Sequence, residues 1–173
     1  HFTITNNIIW GIVGTSNNQP IFAKGIGNRI ENNILIVGET NDSAIMSMEM
    51  GGEECRDHIY QRNIIAIAHV RGALYKFINW RKDRIQTSDH NLVWKAEGNV
   101  FSVGTPSGAS RWDVWREMGF DANSIVADPL FVDLAGADFR LREGSPAFAL
   151  GFASIDISQI GLRPDFPRRF ERE

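Results

Sequence analysis

Ile4-Thr5-Asn6-Asn7-Ile8-Ile9-Trp10 returns as Ile30-Glu31-Asn32-Asn33-Ile34-Leu35-Ile36, then as Tyr60-Gln61-Arg62-Asn63-Ile64-Ile65-Ala66, and again as Ser88-Asp89-His90-Asn91-Leu92-Val93-Trp94. The second asparagine of the phrase recurs at Asn7, Asn33, Asn63 and Asn91, with spacings of 26, 30 and 28 residues. Self-similarity at such a period marks stacked units joined by loops of unequal length. Each unit divides into three short strand-like runs. In the third they are Ser43 to Met50, His58 to Gln61 and Ile64 to Ala68, separated by Gly51-Gly52 and Arg62-Asn63. Runs this short and close leave no room for crossover helices, so an all-β, triangular solenoid with parallel strands is expected. A parallel ladder should join Ile8, Ile34, Ile64 and Leu92. The asparagines should stack as a ladder of amides at a tight bend, each donating to one neighbour and accepting from the other.

Working outward, the repeat breaks after Trp94. Ser110 to Gly119 reads as a short helix, with Ser110 as its cap, Asp113 as capping-box partner, Trp112 and Trp115 on one face, and Gly119 at its end. The chain is thus divided into stacked coils at 1–100, a helix and closing segment at 101–161 that caps the last coil, and a charged, proline-bearing tail at 162–173. Asp128 and Asp133 flank a short apolar run and are read as turn residues. Trp10 and Trp94 hold equivalent places in the repeat and are expected to be buried.

The bulk numbers fit one soluble domain: 173 residues, 43% hydrophobic, with 18 basic and 21 acidic residues giving a net charge of −3. There is no single-sign field to attract nucleic acid, and no apolar run near the ~18 residues of a membrane span. Cys55 is the one cysteine, which excludes an internal disulfide and a cysteine-based zinc site; it is read as an inert thiol. The chain opens with His1 directly on a strand phrase, as the inside of a larger protein would. Its first coil should therefore present an open edge, to be met by missing N-terminal coils or another copy of the chain.

Asp128-Pro129-Leu130-Phe131-Val132-Asp133, followed by Asp138-Phe139-Arg140-Leu141 and Ser145-Pro146-Ala147, resembles the closing segment of many bacterial right-handed parallel β-helix proteins. These include glycoside hydrolases and polysaccharide lyases of the pectate-lyase-like superfamily. With the Asn-Asn-Ile coils, the resemblance covers nearly the whole chain. It implies a right-handed β-helix that is secreted, periplasmic or on a bacterial cell surface, and that takes a polysaccharide or oligosaccharide as partner.

In proteins of that kind the substrate lies along the strand face before the first turn of each coil, here Pro20 to Lys24, Ser43 to Met50 and Leu74 to Trp80. Alternation along the middle run puts Ala44, Met46 and Met48 inside and Ile45, Ser47 and Glu49 outside. Lys24, Glu49 and Asn79 would then form one outward column. Glu49 is the first candidate for a catalytic acid or nucleophile, with Asp42, Glu54 and Asp83 as further acids. Glu53, Glu54, Asp57 and His58 make the densest titratable cluster, and two carboxylates beside a sugar can divide the acid and base roles. Lys24, Trp80, Tyr75 and His58 are the candidate substrate contacts, with Phe22 beside them, because flat rings can stack on sugars. No cofactor is predicted; calcium stays open, although no dense aspartate loop is visible. The leading expectation is a glycoside hydrolase. A non-catalytic sugar-binding or adhesion solenoid and a polysaccharide lyase, with Lys24, Arg81 or His58 as base, are the alternatives.

Overall fold

The computed structural model describes residues 1–13, 19–38, 41, 43–48, 54–68, 72–95 and 111–158, and the backbone of 102–105 and 108–110. The chain is all-β in class. It runs through β1 (Thr3–Thr5), β2 (Ile8–Ile9), β3 (Ile21–Ala23), β4 (Arg29–Glu31), β5 (Ile34–Val37), β6 (Ser43–Ser47), β7 (His58–Gln61), β8 (Ile64–Ile67) and β9 (Ala73–Phe77). After a 3-10 turn at Lys82–Arg84 come β10 (Ile85–Asp89), β11 (Leu92–Lys95), β12 (Ser102–Thr105), β13 (Gly108–Arg111), α1 (Trp112–Glu117), β14 (Ile125–Val126), β15 (Phe131–Asp133) and β16 (Asp138–Leu141).

These strands are dealt in rotation to three sheets: a first of order β1-β4-β7-β10, a middle one of order β2-β5-β8-β11-β14, and a third of order β3-β6-β9-β12-β13. Every pairing in them is parallel except β12 with β13, and β15 and β16 form a separate antiparallel hairpin. The middle sheet pairs Ile8 with Ile34, Ile34 with Ile64, and Ile64 with Leu92, the ladder expected from the repeated phrase. It goes one step further, pairing Leu92 with Ile125. The parallel stack therefore extends past residue 100, where the sequence reading ended it. Turn chemistry after Trp94 is too irregular to show a further strand layer in the sequence alone.

The corner asparagines form one directed chain of hydrogen bonds. Asn7 donates its backbone N–H and its Nδ2 to Asn33 Oδ1, both at 3.0 Å. Asn33 does the same to Asn63 Oδ1 at 3.1 Å for both, and Asn63 to Asn91 Oδ1 at 2.9 and 3.2 Å. Each amide's second hydrogen goes to a main-chain carbonyl one round back: Ile4, Ile30 and Tyr60 for Asn33, Asn63 and Asn91. The chain ends at Ser124 and Asp121: Asn91 donates its N–H to Ser124 Oγ and its Nδ2 to Asp121 Oδ1, both at 2.8 Å. The carboxylate also accepts from Ser124 Oγ, Ser88 Oγ and Trp115 Nε1. An acceptor-only group is what a run of donors needs as its last member. The left-handed backbone at each corner belongs to the residue before the ladder asparagine: Asn6, Asn32, Arg62 and His90 have φ of 58°, 53°, 52° and 57°. Arginine and histidine accept that cost because the stacked neighbours fix the bend.

Side chains alternate between two cores. Leu35, Val37, Ile65, Ile67 and Val93 face an interior shared with Ile30, Ile45, Tyr60 and Tyr75. Ile34, Ile36, Ile64, Ala66 and Leu92 face the opposite way, where Phe131, Phe139, Ala147 and Phe152 cover them. β5 and β8 are thus buried on both sides, which is why they read as unbroken apolar runs. Each covering phenylalanine contributes roughly 2–3 kcal/mol by burial. The closing segment was expected to cap the last coil. Instead it lies along the flank of the middle sheet and returns to the second corner, where Ala153 N–H donates to Asn32 Oδ1 at 2.7 Å and Asn32 Nδ2 to Ala153 O at 2.9 Å. The end of the interior is closed by α1 and the following turn, through Trp115 and Phe120 stacked at 4.5 Å.

Other details also depart from the sequence reading. Ser110 is in β13 and does not cap α1; Arg111 precedes the helix and no side chain caps it. Gly119 does end it, with φ of +94° and its N–H on Arg116 O. Trp10 is not buried but 51% exposed, its edge against Phe139. Asp128 and Asp133 act as turn residues, accepting from Leu130 N–H at 2.7 Å and Gly136 N–H at 3.0 Å. Residues 162–173 lie outside the described residues.

The directed ladder has a testable consequence. Asn63→Ala leaves the buried Asn33 N–H and Nδ2 without their acceptor and should lower stability by about 3 kcal/mol, whereas Asn7→Ala at the exposed start should cost under about 1 kcal/mol. Asp121→Asn turns an N–H toward donors already in place and should cost about 2 kcal/mol. Urea denaturation midpoints of the three variants measure the order.

Candidate functional site

The third sheet carries the face expected to meet substrate, and its register fixes which side chains show. Ile21, Ile45 and Tyr75 are in line, as are Phe22, Met46 and Lys76, and Ala23, Ser47 and Phe77. Ala44 and Met46 are buried as expected, but Ile45 and Ser47, expected outside, are buried too, and Ile45 packs in the interior cluster. In line with Met46, Phe22 and Lys76 are partly exposed. Tyr75 is fully buried, its hydroxyl 3.1 Å from Ser88 Oγ and its ring 5.7 Å from Trp115, so it is a core residue and no platform for sugar. Trp80 leans on the same cluster, 4.6 Å from Phe77 and 5.5 Å from Trp115, and packs rather than projects. Lys24 is placed on the outer side, its Nζ 4.7 Å above the Phe22 ring. Glu49 and Asp42 lie outside the described residues, as does Glu53, so the column of Lys24, Glu49 and Asn79 is not placed.

Where the third sheet turns into the first, successive rounds stack again. Arg56 N–H donates to Gly25 O, Gly27 N–H to Arg56 O, and Asp57 N–H to Asp83 O at 2.8 Å. This corner brings together Glu54 and Asp83, both candidate acids in the sequence, and Asp57 of the titratable cluster, with Arg56 and Arg81. Arg56 bonds Glu54 Oε2 at 3.1 Å through Nε and Asp57 Oδ2 through Nη1; Arg81 Nε bonds Asp83 Oδ1 at 3.0 Å. All five side chains are well exposed. The Arg81 bond holds the Asp83 carboxyl below its ordinary range, and the Glu54 and Asp57 bonds raise Arg56. Asp83 is therefore an ionised acceptor at neutral pH. It can orient or bind hydroxyl groups, or serve as a base, but it does not hold the proton a general acid must give.

Beneath the corner sits Arg84, fully buried, which the sequence reading passed over. Its guanidinium donates to three carbonyls: Cys55 O at 2.6 Å, Asn79 O at 2.8 Å and Ile78 O at 3.3 Å. It ties the turn before β7 to the turn after β9 and so positions the exposed charges above it. In sequence it is one basic residue among several in Arg81 to Arg84, and only burial distinguishes it.

His58 is also buried, not a surface contact. Its Nε2 lies 3.2 Å from Cys55 Sγ, which is 3.1 Å from Ser47 Oγ, and its Nδ1 has no partner among the described residues. Burial, reinforced by the Arg84 charge and opposed by Asp57, lowers the imidazole from 6.5 to about 4. Cys55, read from the sequence as an inert thiol, is free and buried. Among the described residues no three His, Cys, Asp or Glu side chains gather to hold a metal, and no helix is long and apolar enough to cross a membrane.

A second surface was not legible in the sequence. At the start of the stack, the closing segment and the first round enclose adjoining hollows of about 260 and 410 Å³. They share Ile8, Phe139 and Ile157, with Trp10 and Asn7 at one rim and the Asp138–Arg140 pair at the other. Arg140 holds Asp138 down at about 2. The hollows exist because residues about 130 positions apart meet, which no local pattern encodes.

The buried His58 ring makes a pH prediction. Because its folded pKa of about 4 is below 6.5, the unfolded chain binds the proton first as pH falls. The contribution is full above about pH 6.5 and is lost progressively toward pH 4, a swing of about 3 kcal/mol. Urea midpoints from pH 7 to 4 should fall more steeply for the parent chain than for His58→Gln; parallel slopes would show that His58 does not titrate in this way.

No protein-family model matches this chain, and neither a curated protein nor a solved structure matches it.

Proposed function

We propose that the chain is a stretch of right-handed parallel β-helix from a secreted or cell-surface protein, and that it binds a polysaccharide on the edge where the third sheet turns into the first. The three parallel sheets visited in rotation support the architecture. One observation carries the function: Glu54, Arg56, Asp57, Arg81 and Asp83 are held exposed and ion-paired on stacked turns. The Phe22 ring and Lys24 lie on the outer face of the strand leading into that edge. Carboxylates and guanidiniums fixed side by side offer paired acceptors and donors to vicinal hydroxyls, and guanidinium and ammonium groups suit the carboxylates of uronates. The repeat of about one strand spacing, roughly 4.8 Å, suits a ligand that is itself a repeating chain.

Asp83 is held ionised by Arg81, which suits an acceptor and not the proton donor that hydrolysis also needs. Hydrolysis would draw on Glu49 or Asp42. Affinity electrophoresis on neutral glycans and on uronate polymers tests the reading. Retardation by one class is expected, with Arg81→Ala/Asp83→Ala weakening it about tenfold while the melting temperature stays unchanged. Equal mobility on all polymers would overturn it. Release of reducing ends lost in Glu49→Gln would replace it with a hydrolase, and unsaturated products absorbing in the ultraviolet with a lyase.

A further inference from the structure

The turn that carries Arg56 and Asp57 on the outer corner is held from inside by the two residues that flank them. Cys55 and His58 are both buried, and Cys55 Sγ lies 3.2 Å from His58 Nε2 and 3.1 Å from Ser47 Oγ of β6. The four residues therefore take two roles: the outer pair in sequence clasp in the interior, and the two between them meet solvent and pair with each other. Neighbouring rounds stack on the turn through Arg56 N–H to Gly25 O and Asp57 N–H to Asp83 O. Beneath it, Arg84 Nη1 donates to Cys55 O at 2.6 Å. Asp57 has φ of 60°, a left-handed conformation that aspartate tolerates without preferring, so the turn is held against its own backbone.

This clasp is built for a neutral ring. Nε2 meets the thiol, and Nδ1 has no hydrogen-bond partner among the described residues. An imidazolium carries N–H on both atoms and would bring a buried positive charge as well. The groups packed around the pair offer that charge no relief. β6 contributes the Ser47 hydroxyl, β7 the Tyr60 ring stacked at 6.0 Å, β10 the apolar Ile85 in register with His58, and the 3-10 turn the Arg84 guanidinium, which opposes a second cation. Asp57 is the one carboxylate among the charges that act on the ring, and it faces outward to Arg56. We infer that Cys55 and His58 form an acid-released latch: on protonation of His58 the turn opens, the ring reaches water, and Arg56 and Asp57 lose the arrangement that holds a polysaccharide at the corner. The release of ligand rests on the glycan reading; the opening of the turn does not.

Cys55 is the chain's one cysteine, so its labelling reports the opening directly. The full chain is treated with 4,4′-dithiodipyridine, which reacts with thiols from pH 7 to pH 4, and protection is the labelling rate of the urea-unfolded chain over that of the folded chain at the same pH. A ring that binds its proton at the ordinary 6.5 when open and at about 4 when closed should lower this protection about twentyfold between pH 7 and pH 5. His58→Gln should keep its protection level over that range. Local opening further requires that labelling at pH 5 rise with urea much less steeply than the global transition, because one turn exposes little surface. Protection that does not change with pH, or a urea slope equal to the global one, overturns the latch; the slope decides in the parent chain alone should His58→Gln not fold. On a polymer retained at pH 7, retardation should weaken by pH 5 for the parent chain and hold for His58→Gln, and retardation that persists while the thiol opens overturns the release. A chain retained by no polymer ends the glycan reading and leaves the thiol measurement to decide the latch.

Discussion

The amide ladder at the corner between the first and middle sheets is the constraint on which the rest depends. Each ladder asparagine is a turn residue, a cross-round bridge and the satisfier of buried main-chain groups at once. Because Oδ1 of Asn33, Asn63 and Asn91 each accepts two N–H groups from the round before, the ladder has a direction, and a directed series needs an end that accepts without donating onward. Asp121 supplies it, taking hydrogen bonds from Asn91, Ser124, Ser88 and Trp115. A buried carboxylate is costly when left alone, but here four donors replace its water. The same residue ties the ladder to the aromatic closure, since the Trp115 indole that donates to it stacks on Phe120. Corner and end closure are therefore one hydrogen-bonded unit.

The second organising feature is burial on both faces of the middle sheet. The interior takes one alternate set of side chains and the closing segment takes the other. A flank of isoleucines left open would be an apolar stripe running the length of the stack, of the kind that drives association. Phe131, Phe139 and Phe152 remove it, and the paired bonds between Asn32 and Ala153 fix how far along the flank the segment reaches. The overhang at the first round follows from that same placement.

The opposite corner shows how a buried charge can serve an exposed one. Arg84 donates to the carbonyls of Cys55, Ile78 and Asn79, so its charge meets several dipoles while it clamps two turns together. Its field also helps keep His58 neutral and Asp83 ionised. The exposed pairs above it are worth little to stability individually, as surface ion pairs are. Their fixed arrangement is the property relevant to recognition.

The repeated Asn-Asn-aliphatic phrase determined the parallel pairing, the register of the middle sheet and the role of the corner asparagines, because period and side-chain chemistry are local properties. It also showed Asp128 and Asp133 as turn residues, since such bonds span only two or three positions. It did not determine which residues of the third sheet face out: in Ser43 to Ser47 every residue is buried, so alternation has no polar set to mark the outside, and Ile45 and Ser47, expected there, are buried as well. Nor did it place Tyr75 and His58 in the core or pick out Arg84, since a polar side chain's burial depends on partners from distant rounds. Where the closing segment lies, and hence the exposure of Trp10, was decided by the tertiary structure alone. That choice rests on apolar area shared between residues far apart in the chain, which no spacing along it records.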